Sequence, residues 1–158
     1  MAEGTLEVRS TLFGDGETIP KAAAYAMVGG ENTSPDISWS EGPEGTRSYA
    51  VTCWDPDAPT TVGFTHWLAF DIPPTTRSLL AGATPPGVSG FTDWGENAWG
   101  GMAPPAGDEP HRYIFTVWAL DTDSIGSDEK TTYAKFRFLI RGHVLASGTL
   151  TGRFGIDG

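Results

Sequence analysis

Residues Asp55-Pro56-Asp57-Ala58-Pro59 close an apolar run, and His66-Trp67-Leu68 follows one short loop later. Farther along, Pro104-Pro105-Ala106-Gly107 leads into His111-Arg112-Tyr113. Two acids on a stiff turn, two histidines and a tyrosine are groups that bind an anion, hold a metal or move a proton. Imidazole, a tyrosine hydroxyl and the backbone N–H groups around Gly100, Gly101 and Gly107 would give a phosphate directed donors. An ionised carboxylate only accepts, so Asp55 and Asp57 would serve such a site by orienting the histidines and favouring their cationic form. The same side chains match zinc ligands and the acid–base pair of a hydrolase, although they lack the tight spacing of a His-Glu-x-x-His site. The plainer alternative is a capped proline turn at residues 55–59 and a satisfied, half-buried His66. Neither metal nor cofactor is expected, and no residue is assigned a catalytic role.

Strands must bring these groups together. Residues 46–54, 66–72 and 112–120 are rich in β-branched and aromatic types and are bounded by Gly or Pro, the pattern of buried strands. In the third, Tyr113, Phe115, Val117 and Ala119 alternate with Ile114, Thr116, Trp118 and Leu120, so both faces are largely apolar, as in the middle of a sheet. Weaker strands are predicted at 6–10, 37–39 and 144–151. A helix is predicted over 128–140 with Ser127 as N-cap, and a short one over 76–82. Asp55, with Asp57 just beyond it, would then end one strand, while His66, and His111 with Tyr113, would begin two others, so neighbouring strands of suitable direction would gather all five at one sheet end. His143 reads as a partner of the helix C-terminus.

The stretch 83–110 holds five Pro, six Gly and two Trp without a sustained period, the profile of a long functional loop. Trp94 and Trp99 within it are candidates for a pocket wall or for a contact with a second copy of the chain. Cys53 lies inside an apolar strand and reads as packing.

Bulk properties narrow the partners. A chain of 158 residues fits one domain, 1–158, with one core. A formal charge of −10 without a basic stripe argues against nucleic acid. No run reaches the roughly 20 apolar residues of a membrane span, and residues 1–11 lack the basic and apolar parts of a signal peptide. On those two counts a cytoplasmic location is expected, and a single cysteine, which excludes an internal disulfide, agrees with it.

Several motifs carry a family resemblance over nearly the whole chain: Asn32-Thr33-Ser34-Pro35 with Ser38-Trp39-Ser40, Asp55-Pro56-Asp57-Ala58-Pro59-Thr60, His66-Trp67-Leu68, Gly100-Gly101, Pro104-Pro105-Ala106-Gly107 and His111-Arg112-Tyr113. The chain resembles the phosphatidylethanolamine-binding protein family, in its bacterial branch of Raf kinase inhibitor-like proteins. The resemblance implies a mainly β fold, a β-sandwich of antiparallel sheets with Greek-key connections and one or two short helices. It implies a small pocket for anions such as phosphate, acetate or cacodylate, or for a phospholipid headgroup. By position that pocket falls on Asp55, Asp57, Pro59, Phe64, His66, Pro104, Pro105, His111 and Tyr113. The expected function is non-enzymatic binding of a small anionic or phosphorylated ligand, with kinase-inhibitor-like regulation as an extension; a hydrolase or metal-dependent enzyme using the same Asp and His groups is the alternative.

Overall fold

The computed structural model describes residues 3–158; Met1 and Ala2, the start of the segment read above for a leader, lie outside them. Nine strands form among the described residues: β1 (Gly4–Thr5), β2 (Val8–Arg9), β3 (Ile37–Trp39), β4 (Ser48–Asp55), β5 (Phe64–Ile72), β6 (Ser78–Leu79), β7 (Val88–Ser89), β8 (His111–Leu120) and β9 (Val144–Phe154). They build a six-stranded sheet in the order β1-β9-β8-β4-β5-β7 and a three-stranded sheet β2-β3-β6. Pairing is antiparallel except at β1, which runs parallel to β9. In the large sheet β4, β5 and β7 follow one another and β8 returns beside β4, which is the Greek-key order.

The doubly apolar pattern of β8 has a direct structural cause. Tyr113, Phe115, Val117 and Ala119 enter a core between the two sheets, with Val51 and Cys53 from β4 and Trp67 and Ala69 from β5. Trp118 and Leu120 point the other way and pack with Ala50, Leu68 and Phe70 beneath α1 (Tyr133–Leu139) through Phe136 and Ile140. The large sheet is therefore the middle of three layers, and β4, β5 and β8 are buried on both faces. Phe136 is fully buried, 6.1 Å centroid to centroid from both Phe70 and Trp118. Phe136→Ala is expected to lower unfolding free energy by about 3–5 kcal/mol in urea denaturation, since the helix has no other aromatic anchor at that depth.

Two predicted helices come out differently. The helix expected over 128–140 starts only at Tyr133, because the residues before it are spent on local bonds. Asp128 accepts from the backbone of Lys130, and its carbonyl accepts from the Thr131 backbone and hydroxyl. Such side-chain–backbone bonds compete with helical ones, and Thr132 rather than Ser127 becomes the N-cap, accepting from the Lys135 N–H at 3.2 Å. The segment 76–82 contains strand β6 instead of a helix; Leu79, buried in the inter-sheet core, pairs across β3 with Ile37. Long-range burial overrode a weak local preference. His143 bonds the Asp121 carboxylate at 2.8 Å, the role found for it in place of a helix-end partner.

Candidate functional site

The end of β4 sets the centre of the site. Asp55, its last residue, is 2% exposed and flanked by β5 and β8. One oxygen accepts from the Asp57 N–H at 2.7 Å, folding the Asp55-Pro56-Asp57 turn back on the strand end. The other oxygen accepts from His111 Nδ1 at 2.8 Å. On β8, His111 and Tyr113 share a face, and on β5 Phe64 lies directly across from Asp55.

His66 reaches the same place through an irregularity. Cys53 pairs with Trp67 and Trp54 with Thr65, so β5 carries one extra residue at His66. This is a β-bulge, a device that re-aims a side chain. It lets His66 and Trp67, neighbours in sequence, both face the inter-sheet side: His66 lies 5.2 Å edge-on from Tyr113 and Trp67 lies 5.5 Å from Trp99. His66 Nδ1 donates to the Gly100 carbonyl at 2.6 Å, which fixes that nitrogen as the N–H and leaves Nε2 without a hydrogen bond among the described residues.

The long loop closes the opposite wall. Its backbone is tied to the strands by Gly100 N–H to the His66 carbonyl and Asp93 N–H to the Thr65 carbonyl. Trp94 stacks on Tyr25 at 4.0 Å and meets Phe64 edge-on at 5.0 Å. Trp99 is buried in the inter-sheet core, its indole N–H donating to the Ala23 carbonyl. The result is a cavity of about 200 Å³. Its rigid apolar walls are Pro59, Phe64, Trp94, Pro104 and Pro105, and its polar groups are Asp55, His66, His111 and Tyr113. The volume is below the roughly 300–1,000 Å³ of drug-sized sites, so it suits only a small occupant.

Asp57 stands outside this cavity. Its carboxylate accepts from the Arg112 backbone at 2.8 Å and from the guanidinium at 2.9 and 3.1 Å. The Arg112 hydrogen bonds hold its pKa below the ordinary carboxylate value despite partial burial. Asp57 thus clamps the proline turn to the start of β8, and of the two acids only Asp55 orients a histidine. Trp94 joins the wall, as its place in the loop suggested, and Asp108 is a partner of His111 that the sequence reading did not single out.

The two imidazole pKa values are pushed in opposite directions. Burial disfavours a cation on both rings. At His66 it prevails over the Gly100 carbonyl bond and lowers the pKa. At His111 the bonds to Asp108 and Asp55 outweigh it and the pKa is raised. Linkage then gives opposite signs around the ordinary value of 6.5. Stability contributed by His111 is complete below that pH and fades as pH rises through its raised folded value. The penalty from His66 is absent above it and grows as pH falls toward its lowered folded value. Imidazole nitrogen NMR is expected to show His111 losing its proton above pH 6.5 and His66 below it, with the neutral His66 ring as the Nδ1–H form; two rings titrating together near 6.5 would contradict the geometry.

A sequence model described as phosphatidylethanolamine-binding protein matches residues 9–155. The chain belongs to this family. Among relatives, YbhB of Escherichia coli is 43% identical over 149 residues, covering 89% of this chain and 94% of YbhB. YbcL of the same organism is 39% identical over 155 residues, covering 92% of this chain and 85% of YbcL. The crystal structure of Escherichia coli YbcL, described as a new member of the mammalian family, superposes with a TM-score of 0.92 over 98% of this chain and all of that one, at 37% identity. The phosphatidylethanolamine-binding protein of Plasmodium vivax, at 15% identity and a TM-score of 0.62, shares the fold. The chain is thus a member of the phosphatidylethanolamine-binding protein family of bacterial type, and its mainly β architecture is that family's.

Proposed function

We propose that the cavity between β4, β5 and β8 binds the anionic group of a small ligand, a phosphoryl or carboxylate group, and that the protein works by holding this ligand rather than by transforming it. The observation that carries the reading is Tyr113. Its ring is 1% exposed, yet its hydroxyl has no hydrogen-bond partner among the described residues, and it lines the cavity between His66 and His111. Burial and the nearby Asp55 charge raise its pKa strongly, so the hydroxyl keeps its proton and remains a donor. The hydroxyl opens onto the cavity rather than being sealed in the core, so its donor is free for an anion there. His66 adds a second contact by taking up a proton on Nε2 when the anion arrives, its low pKa rising as the negative charge enters.

Binding is favoured over proton-transfer chemistry because both nitrogens of His111 are engaged by carboxylates, which leaves that ring no lone pair to act as a base. The buried free thiol of Cys53 suits action in the reducing cytoplasm. Titration with inorganic phosphate, followed by backbone NMR, is expected to move Phe64, His66 and Tyr113 selectively; unmoved signals at millimolar phosphate would remove the proposal. Tyr113→Phe is expected to weaken phosphate about tenfold with little change in fold, since the ring stays and only the donor leaves.

A further inference from the structure

His111 is held from both sides, and the two holds differ in kind. Nδ1 donates to Asp55, whose side chain is 3% exposed and which is fixed by its second bond to the Asp57 N–H. Nε2 donates at 3.0 Å to Asp108, whose side chain is 44% exposed and which makes no other side-chain bond among the described residues. The loop carrying Asp108 is pinned through its main chain, by Gly107 N–H to the Ile156 carbonyl and Asp108 N–H to the Pro105 carbonyl. Release of the Asp108 carboxylate therefore requires side-chain rotation into solvent and no loop movement. The same loop supplies Pro104 and Pro105 to the cavity wall, and His111 borders both that cavity and an outer polar groove containing Asp108, Glu109 and Arg112.

We propose that Asp108 is an internal anionic latch: in the empty protein its carboxylate occupies the His111 Nε2 donor, and an incoming anion must displace it before that ring can donate to the anion. This rests on the anion-pocket reading above and adds a specificity device to it. A tethered carboxylate competes at an effective concentration in the millimolar range or above, so every anion that uses this donor binds more weakly by one common factor. Neutral ligands gain nothing from displacing it, because Nε2–H of an imidazolium inside a carboxylate bond is released only to another negative acceptor. The latch also answers why a carboxylate-rich protein places acids beside an anion site: Asp55 holds the ring from its buried side, whereas Asp108 fills in for the ligand.

The test measures the affinities of methyl phosphate and acetate by NMR titration at constant ionic strength and pH, for the full chain and for Asp108→Ala, Asp108→Asn and Glu109→Gln. A displaced competitor weakens every anion that uses the same donor by one common factor. Asp108→Ala is therefore expected to tighten both probes equally, by about tenfold, the scale of one charge-assisted hydrogen bond. Asp108→Asn, which keeps a neutral acceptor, should fall between. Glu109→Gln removes the same charge from the same groove without touching His111, and is expected to change either affinity less than twofold. Unchanged or weakened binding in Asp108→Ala overturns the latch while leaving the pocket reading intact. A gain confined to the dianionic methyl phosphate, matched by Glu109→Gln, overturns it too, since that is charge acting at a distance. If neither probe perturbs Phe64, His66 or Tyr113 in any form, the pocket reading falls and the latch falls with it.

Discussion

Asp55→Ala is expected to lower unfolding free energy by about 3–5 kcal/mol, the cost of stripping one partner from a buried charged pair, and to abolish anion binding in the same variant. The carboxylate is 2% exposed and holds two donors that have no substitute acceptor beside them. Without it the His111 cation keeps only the solvent-side Asp108 bond, so the ring loses much of its reason to stay charged. The Asp57 N–H loses the acceptor that closes the turn, which loosens Pro59 against the cavity. Asp55→Asn keeps the shape but presents an amide N–H2 to one of two N–H donors, so it relieves only half of the loss. Asp57→Ala breaks an ion pair in which the Arg112 side chain is 47% exposed, and its effect on stability is expected to be much the smaller of the two. Urea denaturation of the three variants, with His111 titration followed by NMR, checks the order; equal losses for Asp55→Ala and Asp57→Ala would mean that the turn as a whole, not the buried pair, carries the stability.

The contrast between the two acids shows what a sequence can disclose about such a site. Asp-Pro-Asp-Ala-Pro announces a rigid turn with two carboxylates, and the apolar alternation of residues 112–120 announces a strand buried on both sides. From these the gathering of Asp55, His66, His111 and Tyr113 at one sheet end follows once β4 lies between β5 and β8. Which acid faces inward does not follow, because it depends on the register that brings Arg112 beside Asp57. The aim of His66 likewise rests on a one-residue slip between β4 and β5, a property of strand pairing that leaves no mark in local composition. Asp108 had a signal, an acid three residues before a histidine in a Gly-Pro loop, but turn chemistry explains an aspartate there equally well. Strand β6 was illegible for a different reason: two residues express no periodicity, and only the contact of Leu79 with the core makes them a strand.

Gly101→Ala is expected to cost about 3 kcal/mol, at the severe end of overpacking, and to disable the site without altering any cavity-lining side chain. A β-carbon at this position would stand 2.1 Å from the Ala23 carbonyl oxygen and 2.6 Å from the Tyr25 backbone nitrogen. Both obstacles are main chain, so no rotamer change relieves them and the two segments must separate. Separation pulls on the bonds that cross this contact: Tyr25 N–H to the Met102 carbonyl, and Gly101 N–H to the Asn32 side chain. Asn32 is already held at φ 54, a left-handed conformation that its surroundings must enforce. Gly100, one residue away, carries the carbonyl that fixes the His66 tautomer, and the Gly101 carbonyl receives the Trp94 indole N–H. The clash should therefore appear at His66 as a lost Nδ1–H bond and at Trp94 as a loosened wall. Gly126→Ala is the control for conformational strain alone, because Gly126 has φ +71 but open space around it, and is expected to cost about 1 kcal/mol with His66 unaffected. If both alanines cost the same and His66 keeps its tautomer in each, then close approach of residues 23–25 is not what sets the imidazole, and the bulge in β5 must position it unaided.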